Sequence, residues 1–290
     1  MKIKVKKVNA FTDSIDGGNP AGVLLGSPML SDEQMAYVSK ELKVSETAFV
    51  FPGKKADYRV RFFTPEIEVD LCGHATIATF FTMGLEGLVT KQNSTATQET
   101  NVGILPVSLE FDKSGNVDRA MMIQGKPVLK DIYLDISKIA DSLKIDVDEI
   151  DNSLPMQKTS TGLFTLPICI KSFDILKSIN PDFDKIKKLC YRLDVGSFHL
   201  FTFDTLEPTS LYHARNFAPA YAVNEDPVTG TANGAVCNYL LKNNITQNSN
   251  MVCEQGDIIG RSGRVFVEIN EDVVRVGGKA KIVEEREIKV

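Results

Sequence analysis

Along the chain, apolar and polar positions follow first the two-residue period of strands and then the 3.6-residue period of helices, and this succession runs twice. Residues Met1 to Ala10 alternate charged with apolar side chains and predict a first strand. Pro20 to Leu25 reads as a buried strand, and Thr165 to Ile170 reads likewise 145 positions later. A helix follows each. The first opens at the cap-like Ser31-Asp-Glu-Gln34 and runs to about Leu42; the second opens at Asn180-Pro-Asp182 and runs to about Leu193. Strands Thr47 to Phe51 and His199 to Phe203 carry matching phenylalanines, Phe49 and Phe51 against Phe201 and Phe203, 152 apart. The alternating strand Tyr58 to Pro65 has its counterpart in Leu211 to Pro219, at an offset of 154. A short acidic loop then leads into a glycine-started helix in each half, with Gly73 and Gly230 157 apart. Hairpins close both halves, Val107 to Phe111 turning through Asp112 to Asn116, and Val265 to Ile269 turning at Asn270 to Asp272. Gly125-Lys126 and Gly278-Lys279 complete the pattern, 153 apart.

Landmarks in one order at a nearly constant offset predict a duplication. The expected architecture is α+β, with two similar domains at residues 1–128 and 129–290 and a last strand free to return to the first domain. Between them, Pro127 to Thr159 holds the connection and an extra helical stretch around Ile136 to Asn152. Both glycine-started helices are apolar on all sides, through Ala75, Ile77, Ala78, Phe80, Phe81 and Met83 in one and Ala232, Ala235, Val236, Cys237, Tyr239 and Leu240 in the other. A helix apolar all round is a buried one. Each half therefore reads as a sheet wrapped round a central helix, and facing halves would bring the two helix starts to a shared cleft.

Composition narrows the function without naming it. Thirty-three Lys and Arg against 38 Asp and Glu give a formal charge of -5, with no basic block, which disfavours a nucleic-acid partner. No window approaches the roughly 18 uncharged apolar residues of a membrane span, and the first residues do not resemble a signal peptide. The five cysteines at 72, 169, 190, 237 and 253 form no Cys-x-x-Cys pair, so disulfides and structural zinc are not expected and a cytoplasmic location is. With histidines only at 74, 199 and 213, no metal site is expected.

The helix starts at Gly73-His74 and Gly230-Thr231 carry the candidate chemistry. A helix N-terminus offers unpaired N–H groups and partial positive charge, and glycine lets a carboxylate or phosphate approach the backbone closely. The plainer account is that the glycines make tight turns and that His74 and Thr231 cap the helices. Nearby stand three acid-base candidates: Glu46 at a strand entrance, His74, and Asp226 before Pro227. Taken singly, each has a bland reading as a rim, structural or turn residue. Cys72 would be a thiol at a helix start, where thiolate is favoured, or simply a small buried hydrophobe. No phosphate loop and no dinucleotide glycine motif follows a strand.

The segments Val8 to Thr12, Gly18 to Val23, Ser45 to Val50, Arg61 to Pro65, Gly73 to Thr76, Ala214 to Pro219 and Glu225 to Ala232 together resemble the phenazine-biosynthesis PhzF-like isomerase family, within the diaminopimelate-epimerase-like superfamily. The resemblance spans nearly the whole chain. It implies two pseudo-symmetric domains, each a β-barrel-like sheet around a central helix, an active site between them, a homodimer, no cofactor, and a small-molecule carboxylate substrate. By position Glu46 resembles the family's proton-shuttling carboxylate, with His74 and Asp226 assisting and Gly73, Gly230, Thr231 and Cys72 binding substrate. Thr231 stands where the best-known member has serine. Related epimerases and racemases use a cysteine before each glycine; here the positions hold Cys72 and Thr229, and threonine cannot serve as a second thiol base. Three readings follow: a PhzF-like isomerase working through Glu46, an amino-acid epimerase or racemase using Cys72, and a binding protein without turnover.

Overall fold

In the computed structural model, which describes residues 1–290, four of the six helix starts fall where side chains can satisfy the first free N–H groups. Helix α1 (Asp32–Leu42) has Ser31 as its N-cap in a full capping box, the Ser31 hydroxyl accepting from Gln34 N–H and Gln34 Oε1 accepting from Ser31 N–H. Helix α2 (Gly73–Leu85) follows, then α3 (Ile136–Leu143), capped by Asp135, and the short α4 (Phe173–Ser178), capped by Ser172. Asp182 caps α5 (Phe183–Leu193), and the last helix is α6 (Gly230–Lys242). No helix is long and apolar enough to cross a membrane.

The chain divides into two compact units, Met1–Ile123 with Gly277–Val290, and Gln124–Val276. The division falls after residue 123, against the boundary at 128 expected from the sequence.

In the first unit the strand Lys2–Ala10 pairs antiparallel with the C-terminal strand Ala280–Lys289 and with Asn19–Leu24. Asn19–Leu24 runs parallel to Thr47–Pro52, which pairs antiparallel with Tyr58–Phe63. The ladder continues in parallel to Thr95–Thr100 and then antiparallel through Gly103–Phe111 to Val117–Ile123. Helix α2 packs against strands from both ends of this ladder, and every residue from Ala75 to Met83 is buried, as a helix enclosed by its sheet requires. Helix α1 lies on the other face, closing a second core of Leu24, Met35, Val38, Leu42, Phe49 and Phe63. The Gly18 to Gly22 segment is a packing device. Gly18 has φ +67°, and a Cβ on Gly22 would stand 2.3 Å from Thr47 Oγ1, so neither position accepts a side chain without movement.

The second unit repeats this plan. Phe164–Cys169 runs parallel to Ser197–Thr202, which pairs antiparallel with Tyr212–Ala218; parallel Asn250–Gln255 and antiparallel Gly263–Asn270 follow. Nine consecutive residues of α6, Ala232 to Leu240, are buried, the same stretch as in α2 at an offset of 157. Helices α3, α4 and α5 cover the outer face over a core that includes Ile168, Leu200 and Phe217.

Three expectations need correction. The polar segments Val128–Asp131 and Gln157–Ser160 are a pair of antiparallel strands within what reads as a connection, and α4 carries no signal that distinguishes it. The helical stretch after Ile136 ends at Leu143, with only a 3-10 turn at Val147–Glu149 beyond it. The phenylalanine match is one residue out of register. From the caps Ser31 and Asp182 through the left-handed ends Lys43 and Asp194, the two halves align at an offset of 151. The ladders agree: Phe49 opposes Arg61, and Leu200 opposes Arg215. Phe49 therefore corresponds to Leu200, and Phe201 points to the opposite face, since one step along a strand reverses the side chain.

Candidate active site

Glu46 precedes the strand Thr47–Pro52, and its carbonyl accepts from Gly22 N–H at 2.9 Å, which fixes the backbone from which its side chain projects. The imidazole of His74, in the first turn of α2, brings Nε2 to 3.3 Å from Glu46 Oε2 and 3.4 Å from Ser45 Oγ. Cys72 Sγ lies 3.4 Å from His74 Nδ1 and 3.9 Å from Nε2. The three sequence-chosen residues Glu46, Cys72 and His74 thus form one cluster whose ligating atoms all lie within 4.8 Å of one another. Glu46 and His74 side chains are 22% and 14% exposed, enough for a small molecule to reach and too little for bulk water to surround.

Glu46 Oε2 has no hydrogen bond of good geometry, although His74 Nε2 is close. The distance is right and the angle is not. Three other carboxylates, Glu68, Glu225 and Glu254, are committed. Arg61 holds Glu68 through two nitrogens, and Arg215 holds Glu225 in the same way. Glu254 is fully buried against His213 Nδ1 at 2.8 Å; burial opposes its ionisation, but His213 and the N–H groups of Leu206 and Glu207 outweigh it and hold the carboxyl at about 2.

In the second unit, Asp226 ends the short strand Val223–Asp226, opposite Asn216, and so is placed by a ladder rather than by a free turn. Thr229 Oγ1 donates to Asp226 Oδ2 at 2.5 Å. Gln255 ties the corner together: its Nε2 donates to the Asp226 carbonyl and to Thr229 Oγ1, while its Oε1 accepts from Thr229 N–H and Asn233 Nδ2. Thr231 is half-buried, and its carbonyl accepts from Thr161 Oγ1. Gln255 and Asn233 were not singled out from the sequence; the one signal for Asn233 is that it is one of two amides, with Asn238, inside the apolar stretch of the helix.

Gly73 and Gly230 are helical residues, so neither is there to make a left-handed turn, and the caps are Cys72 and Thr229, not His74 and Thr231. Neither cap side chain makes a capping hydrogen bond to its helix. What the two glycines contribute is a missing Cβ beside a helix start, the arrangement that suits an anionic group. The other two histidines are fully buried. Burial pushes His199 down to about 4, against hydrogen bonds to Asn216 and Asn233 that favour its charged form.

Comparison with known proteins identifies the family. The family model described as phenazine biosynthesis-like protein matches residues 8–286. An uncharacterized isomerase of Bacillus subtilis is 35% identical over 280 residues, covering 96% of this chain and 93% of that protein. One from Clostridium acetobutylicum is 34% identical, covering 99% and 98%. The crystal structure of a phenazine biosynthesis protein of the PhzF family from Bacillus anthracis superposes with a TM-score of 0.91 at 31% identity, covering all of both chains. The fold is accordingly α+β and diaminopimelate-epimerase-like. A chain matched end to end by this family, with an uncommitted carboxylate and an imidazole beside a glycine-started helix, belongs to the PhzF-like family of isomerases.

Proposed function

We propose that the protein is a cofactor-independent isomerase that moves a proton between carbons of a small cyclic or amino-acid-like carboxylate, with Glu46 as the acid-base group. One observation carries this reading: Glu46 is a fixed, half-buried carboxylate with an oxygen that no donor claims, 3.3 Å from a histidine that can steady the charge as the proton comes and goes. In this reading Glu46 Oε2 takes a proton from carbon, the negative charge spreads into the substrate's unsaturated system, and Glu46 returns the proton to another carbon of the same molecule. N–H groups at a glycine-started helix, Gly73 in the first unit or Gly230 in the second, hold the substrate carboxylate, where charge also develops. His74 and Asp226 assist the transfer, and Thr231 and Cys72 contribute to binding. A homodimer and a cytoplasmic location belong to the same reading.

A second reading has one observation in its favour. Cys72 stands at a helix start with His74 Nδ1 3.4 Å from its sulfur, an arrangement that favours thiolate, so an epimerase acting from one side through Cys72 is the alternative.

Deuterium uptake at carbon separates these readings. The protein is incubated in heavy water with dihydro-hydroxyanthranilate and a panel of small amino and cyclic carboxylates, and uptake is followed by mass. Glu46→Gln keeps shape and removes the base, so uptake is lost while binding remains; retained uptake in Glu46→Gln overturns the reading. Loss in Cys72→Ser with Glu46→Gln still active establishes the alternative. Absence of uptake with every compound, in folded protein, favours a binding protein.

A further inference from the structure

We propose that Glu46, Cys72 and His74 form a binding site for a borderline-soft divalent cation, Zn2+ above all, and that its occupancy switches the site off. This site is absent from the expectations drawn from the sequence, which counted histidines and found too few. One imidazole nitrogen, one sulfur and one carboxylate oxygen converge here instead. Tetrahedral Zn2+ has bonds of about 2.3 Å to sulfur and about 2.0–2.1 Å to nitrogen and oxygen, which places nitrogen and oxygen about 3.3–3.4 Å apart and sulfur and nitrogen about 3.6 Å apart. The observed separations are 3.3 Å for His74 Nε2 to Glu46 Oε2 and 3.9 Å for His74 Nε2 to Cys72 Sγ. The sulfur now lies nearer the other ring nitrogen, 3.4 Å from His74 Nδ1, so closing the set around a metal requires the imidazole to turn and present Nε2 to both partners.

Three features make this more than a chance grouping. The Glu46 oxygen facing the histidine lacks a hydrogen-bond partner, and a cation would give it one. The ligand chemistry is mixed sulfur, nitrogen and oxygen, which suits Zn2+ or Co2+ and not the all-oxygen preference of Mg2+ or Ca2+. Three protein ligands leave a fourth position for water or a ligand, as in open zinc sites.

The regulatory half of the proposal rests on the assignment of Glu46 as the base. A carboxylate coordinated to Zn2+ cannot accept a proton from carbon, so bound metal and turnover exclude each other. The test of binding does not depend on that assignment. Co2+ is titrated into the protein and followed by its visible ligand-field bands and near-ultraviolet thiolate charge-transfer band, and Zn2+ is then added to displace it. The expected result is one metal per chain, with the thiolate band absent in Cys72→Ser and Zn2+ affinity reduced more than about 10-fold in both Cys72→Ser and His74→Gln, a loss typical even of groups that only orient a ligand. Cys253→Ser is the control, because Cys237 and Cys253 also approach, with sulfurs 3.3 Å apart. Circular dichroism establishes that each variant folds. The proposal is overturned if no stoichiometric metal binds, or if the thiolate band survives Cys72→Ser and disappears in Cys253→Ser. The regulatory half is overturned if saturating Zn2+ leaves Glu46-dependent deuterium uptake unchanged, whereas failure of that uptake altogether removes the Glu46 assignment and leaves the metal site standing on its spectrum.

Discussion

The two units use one framework for different ends, and the contrast is sharpest where their frameworks coincide. Helices α1 and α5 align at an offset of 151 from N-cap to left-handed C-terminal residue, so Glu46 and Ser197 occupy the same place just beyond them. In the first unit that place holds a carboxylate with an unclaimed oxygen. In the second it holds a buried serine whose hydroxyl is engaged with Thr165 Oγ1 at 2.8 Å. The halves share structure and not chemistry: the base exists once. The largest effect should follow this asymmetry. Glu46→Gln should lower deuterium uptake about 10²–10⁴-fold, the range of a positioned acid-base group. Ser197→Ala should leave turnover within about twofold and cost about 0.5–1.5 kcal/mol in denaturant unfolding, the worth of a neutral hydrogen bond. Equal losses from both would break the comparison.

An arginine pair sharpens it further. Arg61 and Arg215 sit 154 apart, stack over Phe63 and Phe217 at 4.9 and 4.8 Å, and hold Glu68 and Glu225 through two nitrogens each. Their surroundings differ. The Arg215 side chain is 8% exposed and also donates to the carbonyls of Leu176 and Ile179, tying α4 to the sheet, whereas Arg61 is 24% exposed and adds only Asp32 at the surface. Arg215→Ala strands a half-buried carboxylate and two buried carbonyl partners and should cost about 3–5 kcal/mol. Arg61→Ala should cost about 1–2 kcal/mol, because water can replace much of what it supplies. Urea unfolding of both variants measures the difference.

Much of this duplication is legible in the sequence, because caps and apolar periods are local. Ser31 and Asp182 announce α1 and α5, and the continuous apolar runs of α2 and α6 announce enclosed helices. What local signals miss is register. Phe49 and Phe201 match as letters and face opposite sides, because a strand's side chains alternate and only the ladder fixes which face is inward. Short polar strands such as Val128–Asp131 escape for a related reason: their pairing with Gln157–Ser160 supplies the stability that their own residues do not advertise. The site divides in the same way. Glu46, Cys72 and His74 could each be named, but their convergence depends on a strand entrance meeting a helix start 26 residues later, and no spacing rule encodes that.

A smaller effect tests the two units through pH. At the offset of 151 the counterpart of His199 is Ala48, both fully buried, so one unit carries a titratable group where the other has none. Burial lowers His199 from its ordinary 6.5 to about 4, with its ring Nδ1 3.1 Å from the accepting Asn216 Oδ1. The unfolded chain therefore binds a proton that the folded one refuses between those values, and stability falls as pH drops from about 6.5 towards 4. The loss attributable to His199 should be about 1–3 kcal/mol. His199→Gln should flatten the unfolding free energy over that window, while Ala48→Ser, which adds no titrating group, should leave its slope unchanged. A His199→Gln variant with the wild-type slope would place the titration elsewhere.

The smallest effect concerns the helix caps. Cys72 and Thr229 both hold extended backbone at the N-cap, with φ -134° and -118°, and neither caps. The reasons differ. Cysteine is a weak acceptor, whereas Thr229 has a competent hydroxyl that is drawn away to Asp226. Serine at position 72 would stand beside the His74 imidazole, whose Nδ1 is 3.4 Å from the present sulfur, but its oxygen is a stronger acceptor than sulfur and can reach the N–H groups of the first turn. Cys72→Ser should therefore leave stability unchanged or raise it by up to about 1 kcal/mol, although it replaces a buried thiol. If those N–H groups serve a substrate carboxylate, the added cap competes with it, and binding of a carboxylate substrate should weaken a few-fold while the uptake rate at saturation stays within about tenfold of wild type. A gain in unfolding temperature coupled to a higher KM would mean that the helix start is left uncapped for its ligand; a gain with KM unchanged would mean that the open N–H groups of the first unit take no part in binding.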